Sequence, residues 1–271
     1  MKPKRAIAHK QTAKSVVSGK AADYVTALVR GLDVLTCFEA GRRRMTLSQV
    51  AALTKLSRGT SRRLLLTLQA AGYVHGDGKS FWLTPKVLQL AKAFLTSNGL
   101  AEVARPFIRW VTEETGESCS VAVLDGPDII YIARVETRRI FSSGLEPGTR
   151  LPAHCASLGQ VLLAELEPAQ LDRWLKDYPL VARTSKTITD PERLRLKLKE
   201  VAEQRFAMCD GELEIGLRSV AVPIIGSGGR ALAAINIGAL ETRVSHEKMW
   251  RDFVPVLRTA AREIGEAAAE L

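Results

Sequence analysis

Apolar positions in the N-terminal third of the chain recur at helical spacing in short runs. Leu28, Leu32, Leu35 and Phe38 follow one another at four, three and three residues, and Gly41 stops the run, which predicts a first helix beginning near Asp23. Thr46-Leu47-Ser48-Gln49 has the form of a capping box and predicts a short helix from about Leu47 to Thr54. Ser57 can cap a third helix, with Thr60, Leu64, Leu68 and Ala71 as its buried stripe and Gly72 as its stop. Tyr73-Val74-His75, the turn Gly76-Asp77-Gly78-Lys79 and Phe81-Trp82-Leu83 then read as a hairpin. Three helices and a hairpin in this order outline a winged helix-turn-helix.

Thr84-Pro85 suits an N-cap and first turn, and Val87, Leu88, Ala91, Phe94 and Leu95 form a broad apolar stripe up to Asn98-Gly99. This linker helix either covers the core of its own module or packs against the same helix of a second subunit. Beyond it the element types alternate. A helix over residues 101–115 leads to strands at 119–124 and 129–135, joined by Asp125-Gly126-Pro127, and to a third strand at 140–143. Helical patterns follow at 157–166, 168–178 and 190–205. Two apolar strands at 219–225 and 231–237 flank Gly226-Ser227-Gly228-Gly229, before a terminal helix from Ser245. Hairpin-linked strands with helices bunched between them imply an α+β domain on a mostly antiparallel sheet. The predicted organisation is a basic tail (1–22), a winged helix-turn-helix (23–84), a linker helix (85–99) and a C-terminal domain (100–271).

Charge sharpens this division. The chain of 271 residues carries 39 Lys plus Arg against 29 Asp plus Glu, a formal charge of +10. Residues 1–86 hold 16 basic and 4 acidic side chains, whereas residues 87–271 hold 23 and 25. The excess therefore belongs to the first module, which suits a polyanionic partner. On the third helix Arg58, Ser61 and Arg62 are expected on the face opposite the apolar stripe. Its first turn would present Ser57, Arg58, Thr60, Ser61 and Arg62 to base edges and phosphates of duplex DNA, with Arg63 and Lys79 adding to the basic surface. The competing reading is that these arginines only solvate an amphipathic helix.

No apolar run is long enough to span a bilayer, and the basic first 22 residues lack the apolar core of a secretory signal, so a soluble cytoplasmic protein is expected. An organellar transit peptide is the rival reading of that tail, against which Arg5 is its only arginine. Cys37, Cys119, Cys155 and Cys209 are widely spaced, as are the four histidines, and no zinc site, disulfide framework, metal or cofactor is expected.

Several segments together resemble one family. Leu56-Ser57-Arg58-Gly59-Thr60-Ser61-Arg62-Arg63-Leu64, with Gly72-Tyr73-Val74 after it, resembles the recognition helix of IclR-type transcriptional regulators. Leu151-Pro152-Ala153-His154-Cys155-Ala156-Ser157-Leu158-Gly159 and Glu212-Leu213-Glu214-Ile215-Gly216-Leu217-Arg218-Ser219 resemble the signatures of that family's effector domain, most like its PcaU/PcaR/PobR branch. The resemblance runs from about Tyr24 onward. It implies a ligand-responsive regulator with a GAF-like domain for a small carboxylate, in that branch protocatechuate, 4-hydroxybenzoate or β-ketoadipate. Lys55 stands where many members have Gly, Ser61 replaces a common apolar residue, and Gln160 replaces a frequent Lys or Arg.

Candidate effector-binding residues are Arg134, His154, Cys155, Ser157, Asp210, Glu212, Ser219 and Asn236. His154, Cys155 and Ser157 are placed at a helix N-terminus that favours an anion, or cap that helix as plain loop structure. Asp210 or Glu212 would hydrogen-bond a ligand hydroxyl or clasp Arg218. Ser219 and Asn236 face the cavity by the family's pattern. Arg134 would meet either an effector carboxylate or an internal acid. Three function classes follow: a sensor regulator on a palindromic operator, working as a dimer or tetramer and through RNA polymerase; an enzyme using His154 and Cys155 beside a DNA-binding appendage; and an architectural DNA-binding protein. The size of the second module favours the first.

Overall fold

A computed structural model of the chain describes residues 24–38, 42–97, 99–137 and 145–269. The chain divides after Phe94 into two compact units. The strand expected at 140–143, the stop at Gly41 and the tail 1–22 lie outside the described residues.

In the first unit α1 (Thr26–Thr36), α2 (Leu47–Thr54) and α3 (Arg58–Ala70) pack around Val34, Val50 and Leu65. The predicted capping box forms: the Gln49 N–H donates to Thr46 Oγ1 at 3.4 Å, and the Thr46 N–H donates to Gln49 Oε1 at 2.8 Å. Ser57 caps α3, accepting from the Thr60 N–H at 3.1 Å. The wing is a three-stranded antiparallel sheet in the order β1 (Met45–Thr46), β3 (Ser80–Leu83), β2 (Val74–Gly76). The strand formed by Met45 and Thr46 carries no periodic signal of its own, because two residues cannot show one.

Two apolar faces differ from expectation. On α1 the buried side chain is Val34, while Leu28 and Leu32 are exposed. On α3 the inward stripe is Ser61, Leu64, Leu65 and Leu68, so Leu64 and Leu68 are as predicted, while Thr60 is only half-buried and Ala71 is exposed. In α4 (Leu88–Ser97), Leu88 and Ala91 are exposed and so do not cover a core of their own unit.

The second unit begins with α5 (Leu100–Thr115). Its sheet has six strands in the order β6 (Arg150–Pro152), β5 (Asp128–Val135), β4 (Ser118–Asp125), β9 (Ala231–Leu240), β8 (Leu217–Ile225), β7 (Ala207–Asp210), and every neighbouring pair is antiparallel. Short β6 and β7 at the two edges were not expected. The residues 226–229 form the predicted hairpin turn, closed by Gly226 N–H to Arg230 O at 2.9 Å.

The inner strands sort their side chains by size. Cys119 and Val121 on β4, Val220, Val222 and Ile224 on β8, and Ala233, Ile235 and Ile237 on β9 form one core with α5 and the C-terminal α10 (Val254–Ala268). Opposite them, α6 (Ser157–Ala164), buried nearly all round, packs with α7 (Pro168–Asp177) and α8 (Pro191–Gln204) over Ala122, Ala221 and Ala234. Between them these layers make the α+β architecture. In α6, Gly159 is required by contact: a Cβ there would lie 2.1 Å from the Ala153 carbonyl oxygen, so the 3-10 turn Ala153–Cys155 lies directly on the helix.

The turn between α2 and α3 rests on Lys55 at φ 56°, a left-handed conformation that glycine adopts at no steric cost. Lys55→Gly is expected to stabilise the first unit by about 0.5–1 kcal/mol in urea unfolding followed by circular dichroism. An unchanged or lowered midpoint would contradict this assignment of strain.

Candidate functional site

On α3 the side chains of Ser57, Arg58, Arg62 and Arg63 are exposed, as is Lys79 at the wing turn, and Thr60 is half-buried. Ser61 departs from expectation. It is fully buried, with its hydroxyl unpartnered among the described residues, because it shares the inward face of α3 with Leu65. The outward face of α3 is therefore carried by Arg58, Arg62 and Arg63 around a capped first turn.

The second site is a cavity of about 770 Å³ in the C-terminal unit. Its floor follows from strand register. Cys209, Ser219, Gly238 and Ser118 form one cross-strand row, and Ala221, Asn236, Ser120 and Arg134 form the next. These are small or polar residues on the face that receives α6, which packs on Ala221 and leaves a space bordered by the residues nearer its first turn. Cys209, Ser219, Asn236 and Arg134 line the space from the sheet. Ala156, Ser157 and Leu158 line it from the first turn of α6, Tyr131 and Leu145 add apolar wall, and the stretch 212–217 runs along its rim.

Five of the eight predicted effector residues come together here: Arg134, Ser157, Glu212, Ser219 and Asn236. Asn236 is 7% exposed and Ser157 1%, yet Asn236 Oδ1 and Ser157 Oγ have no hydrogen-bond partner among the described residues. Buried polar atoms left in this state mark a place where something else supplies the partner. Of the two neighbours expected for Arg134, the internal acid is the one found: Nε donates to Glu136 Oε1 at 2.9 Å, Nη1 donates to Ser120 Oγ at 2.8 Å, and the side chain also borders the cavity.

Glu212 accepts from Gln160 Nε2 at 2.9 Å, and Gln160 also donates to the His154 carbonyl at 3.0 Å. Burial pushes the Glu212 carboxyl above its usual range, which the Gln160 hydrogen bond only partly offsets. Its backbone carbonyl accepts from Thr187 Oγ1 at 2.6 Å, which pins this end of the rim. On the far side, Glu117 pairs with Arg243 at the cavity wall, and burial raises its carboxyl as well. Sequence reasoning missed Tyr131, Glu117 and Arg243. No motif marks them, and they meet only through the register of β4, β5 and β9.

His154, Cys155 and Asp210 do not line the cavity. The 3-10 turn that Gly159 admits aims His154 at the Val181 carbonyl, 3.1 Å from Nε2. Burial lowers the imidazole's basicity, and because a carbonyl oxygen can only accept, this contact requires the proton on Nε2. Cys155 Sγ faces the Pro152 carbonyl at 3.7 Å, and burial pushes its thiol up to about 12. Asp210 pairs across strands with Arg218, on the face opposite Cys209 and Ser219. It accepts from Arg218 Nη2 at 2.8 Å and from His246 Nε2 at 2.6 Å. Burial alone would raise its carboxyl, but these two bonds hold it below the usual range. The expected clasp on Arg218 thus belongs to Asp210, which makes it a structural residue.

Among the described residues no group of three His, Cys, Asp or Glu side chains is placed to hold a metal, and no helix is long and apolar enough to cross a membrane. Cys119 and Cys209 are buried with thiols raised by desolvation, and Cys37 is half-buried. At mildly alkaline pH an aromatic disulfide reagent should therefore react quickly at Cys37 and reach Cys119 and Cys155 only on denaturation. Rapid native labelling of Cys155 would contradict this geometry.

The comparisons agree across both units. Residues 27–78 match the IclR helix-turn-helix domain, and residues 92–266 match the bacterial transcriptional regulator IclR C-terminal domain. The chain is 40% identical over 243 residues to a Pca regulon regulatory protein of Pseudomonas putida, covering 89% of this chain and 84% of the relative. It is 33% identical to the p-hydroxybenzoate hydroxylase transcriptional activator of Acinetobacter baylyi, covering 95% and 96%. A crystal structure of an IclR homolog from Microbacterium hydrocarbonoxydans complexed with 4-hydroxybenzoate superposes with TM-score 0.77 at 26% identity, covering 90% of this chain and 99% of that one. With a helix-turn-helix that exposes an arginine face and a second unit built around a cavity lined by Arg134, Asn236 and apolar side chains, this chain belongs to the IclR family of transcriptional regulators.

Proposed function

We propose that the protein regulates transcription of genes for aromatic-acid catabolism by binding a palindromic duplex operator through α3 and a hydroxylated aromatic carboxylate in the cavity. The observation that carries this reading is the pair of unpartnered buried atoms, Asn236 Oδ1 and Ser157 Oγ, in a cavity that Arg134 also lines. An acceptor such as Asn236 Oδ1 calls for a ligand that donates, which a phenolic hydroxyl does and an unsubstituted ring does not. The carboxylate lies against Arg134, the ring against Tyr131, Leu145 and Leu158, and the hydroxyl toward Asn236, with Ser157 and Glu212 as further partners. Ser219 on the floor completes the set. The relatives' names support this class of effector, since one activates a p-hydroxybenzoate hydroxylase and a solved homolog holds 4-hydroxybenzoate.

On the DNA side, Arg58 and Arg62 read base edges, while Ser57, Thr60, Arg63 and Lys79 contact phosphates. Two copies are needed, because one recognition helix reads only a few base pairs, and a two-fold dimer spaces its helices about 34 Å apart along the duplex. The exposed apolar side chains of Val25 just before the first helix, of Leu28 and Leu32 on it, and of Leu88 and Leu90 on α4, are the surfaces that would pair or assemble further into a tetramer. The ligand then changes operator affinity or contact with RNA polymerase in the cytoplasm. A catalytic role for His154 and Cys155 finds no support in their geometry, since each is turned to a backbone carbonyl.

Two measurements test this reading. In gel shifts with the DNA upstream of its own gene, Arg58→Ala and Arg62→Ala should each weaken specific binding by about 1–3 kcal/mol, and an undisturbed footprint in both would remove α3 as the reader. In a thermal-shift screen, hydroxybenzoates should stabilise the wild type and benzoate much less, with the response lost in Arg134→Ala. Equal stabilisation by benzoate would contradict the role given to Asn236.

A further inference from the structure

The C-terminal unit carries a second hollow, beside the helix layer on the other face of the sheet from α6. β7 pairs with β8 only as far as Ala207↔Ala221, while β8 runs on to Ile225. The outer edge of residues 222–225 therefore has no strand beside it among the described residues. Pro223 within it has no N–H to offer a further strand, so the edge stays open without inviting one. α10 packs on this end of β8, and Gly265 permits the approach, because a Cβ there would lie 2.2 Å from the Ile225 carbonyl oxygen. What remains between α10, the open edge and the end of α8 is a groove of about 480 Å³.

The two ends of this groove carry opposite charges that the fold leaves unmatched. Arg258, Arg262 and Glu266 stand on successive turns of α10, and all three border it. Arg258 Nη2 donates to the Gln204 carbonyl at 2.7 Å, which sets this arginine beside Arg205 at the end of α8. Arg205 Nη1 is paired with Glu165 Oε1 at 2.9 Å, and Arg262 Nη2 with Glu263 Oε1 at 2.7 Å. Arg258 and Glu266 have no ion-pair partner among the described residues. They lie roughly 12 Å apart along the helix axis at ~1.5 Å per residue, and Pro223, Ile225 and Ala261 give the stretch between them an apolar floor. Arg205 is itself held at φ 60°, a left-handed conformation that strains an arginine and not a glycine. Its guanidinium at the cationic end of the groove is what that position gains in return.

We propose that this groove binds an elongated zwitterion, an acid whose ammonium group stands several carbons away from its carboxylate. The carboxylate lies on Arg258 and Arg205, whose planar guanidinium groups suit it. The methylene chain covers Pro223, Ile225 and Ala261, and the ammonium meets Glu266. A chain of about five carbons spans the two ends with a ~3 Å hydrogen bond at each. An inorganic anion would leave the apolar floor bare, and a dicarboxylate would set its second charge against Glu266. The hydroxybenzoates assigned to the cavity carry no cation, so the two sites take different chemistries and the groove does not depend on the reading of the cavity.

The test is titration calorimetry of the full-length protein with 6-aminohexanoate, with thermal melting to verify that each variant folds. Wild type should bind one molecule per chain, and should bind hexanoate or hexylamine, each with a single charged end, about tenfold more weakly. Arg258→Ala and Glu266→Gln should each lose about tenfold in affinity. Glu266→Lys should reject 6-aminohexanoate and accept adipate, whose second carboxylate then finds a cation. Arg205→Gly should melt above wild type and yet bind more weakly, a combination that damage to the fold does not produce. Arg134→Ala, which alters only the cavity, should bind 6-aminohexanoate as wild type does. If hexanoate binds as well as 6-aminohexanoate, or if Arg258→Ala and Glu266→Gln both bind the zwitterion unchanged, the proposal is overturned. Loss of binding in Arg134→Ala would put the ligand in the cavity and overturn it as well, as would no uptake by wild type at millimolar ligand. A parallel titration with 4-hydroxybenzoate reports on the cavity, so the failure of either reading is seen separately.

Discussion

The organisation of the C-terminal unit depends on one constraint: a strand must serve two faces at once, and here the two faces are given unequal side chains. On β4, β8 and β9 the residues directed at α5 and α10 are mostly Val and Ile, and they fill that space. The alternate residues are Ser118, Ser120, Ser219, Ala221, Asn236 and Gly238. Ser118, Ser219, Asn236 and Gly238 leave space beside the first turn of α6, so close packing on one side coexists with a cavity on the other. Hydrophobic burial on the filled face and in the helices over α6 holds the sheet together. The empty part costs little extra, because its walls are partly polar and can be solvated or liganded. The effector site is thus a consequence of side-chain volume along three strands, and α6 is held at its edge by the contact of Gly159 with the turn before it.

Electrostatics divide the molecule differently. In the N-terminal unit the basic side chains point outward from a small core, Arg58, Arg62 and Arg63 on α3 and Arg43 and Arg44 beside the wing. In the C-terminal unit many charges are held in local networks. Asp210 is shared by Arg218 and His246, Glu117 is matched by Arg243, and Arg150 is held by Asp125 and Asp128. Glu212 differs, since its hydrogen-bond partner Gln160 is neutral and only partly offsets the cost of burying a carboxylate. A group in that position gains from a ligand able to donate a hydrogen bond.

Much of this was legible in the residues, and the gaps have physical causes. Caps are local, so Thr46-Gln49 and Ser57 located α2 and α3 correctly, and the glycine-rich turn at 226–229 marked the β8–β9 hairpin. Buried faces of short helices are set by what packs on them from far along the chain. That is why Val34, and not Leu28 or Leu32, is the core residue of the first helix, and why Ser61 turns inward. The polar interruptions Arg134 and Asn236 in apolar runs pointed to the cavity, because a buried strand tolerates them only beside a partner or a space. Asp210 misled for a related reason. Adjacent strand residues face opposite ways, so Cys209 and Asp210 cannot both line one site. Tyr131, Glu117 and Arg243 could be found only once strand register was known.

The central claim is that the space under α6 is the seat of a hydroxylated aromatic acid. A crystal structure of the full-length protein soaked with 3,4-dihydroxybenzoate tests it most directly. The account predicts ring density between the β4–β9 floor and the first turn of α6, with the carboxylate on Arg134 and a hydroxyl within hydrogen-bond distance of Asn236 Oδ1. Well-ordered ligand elsewhere, or an ordered cavity holding only water at saturating ligand, would contradict it.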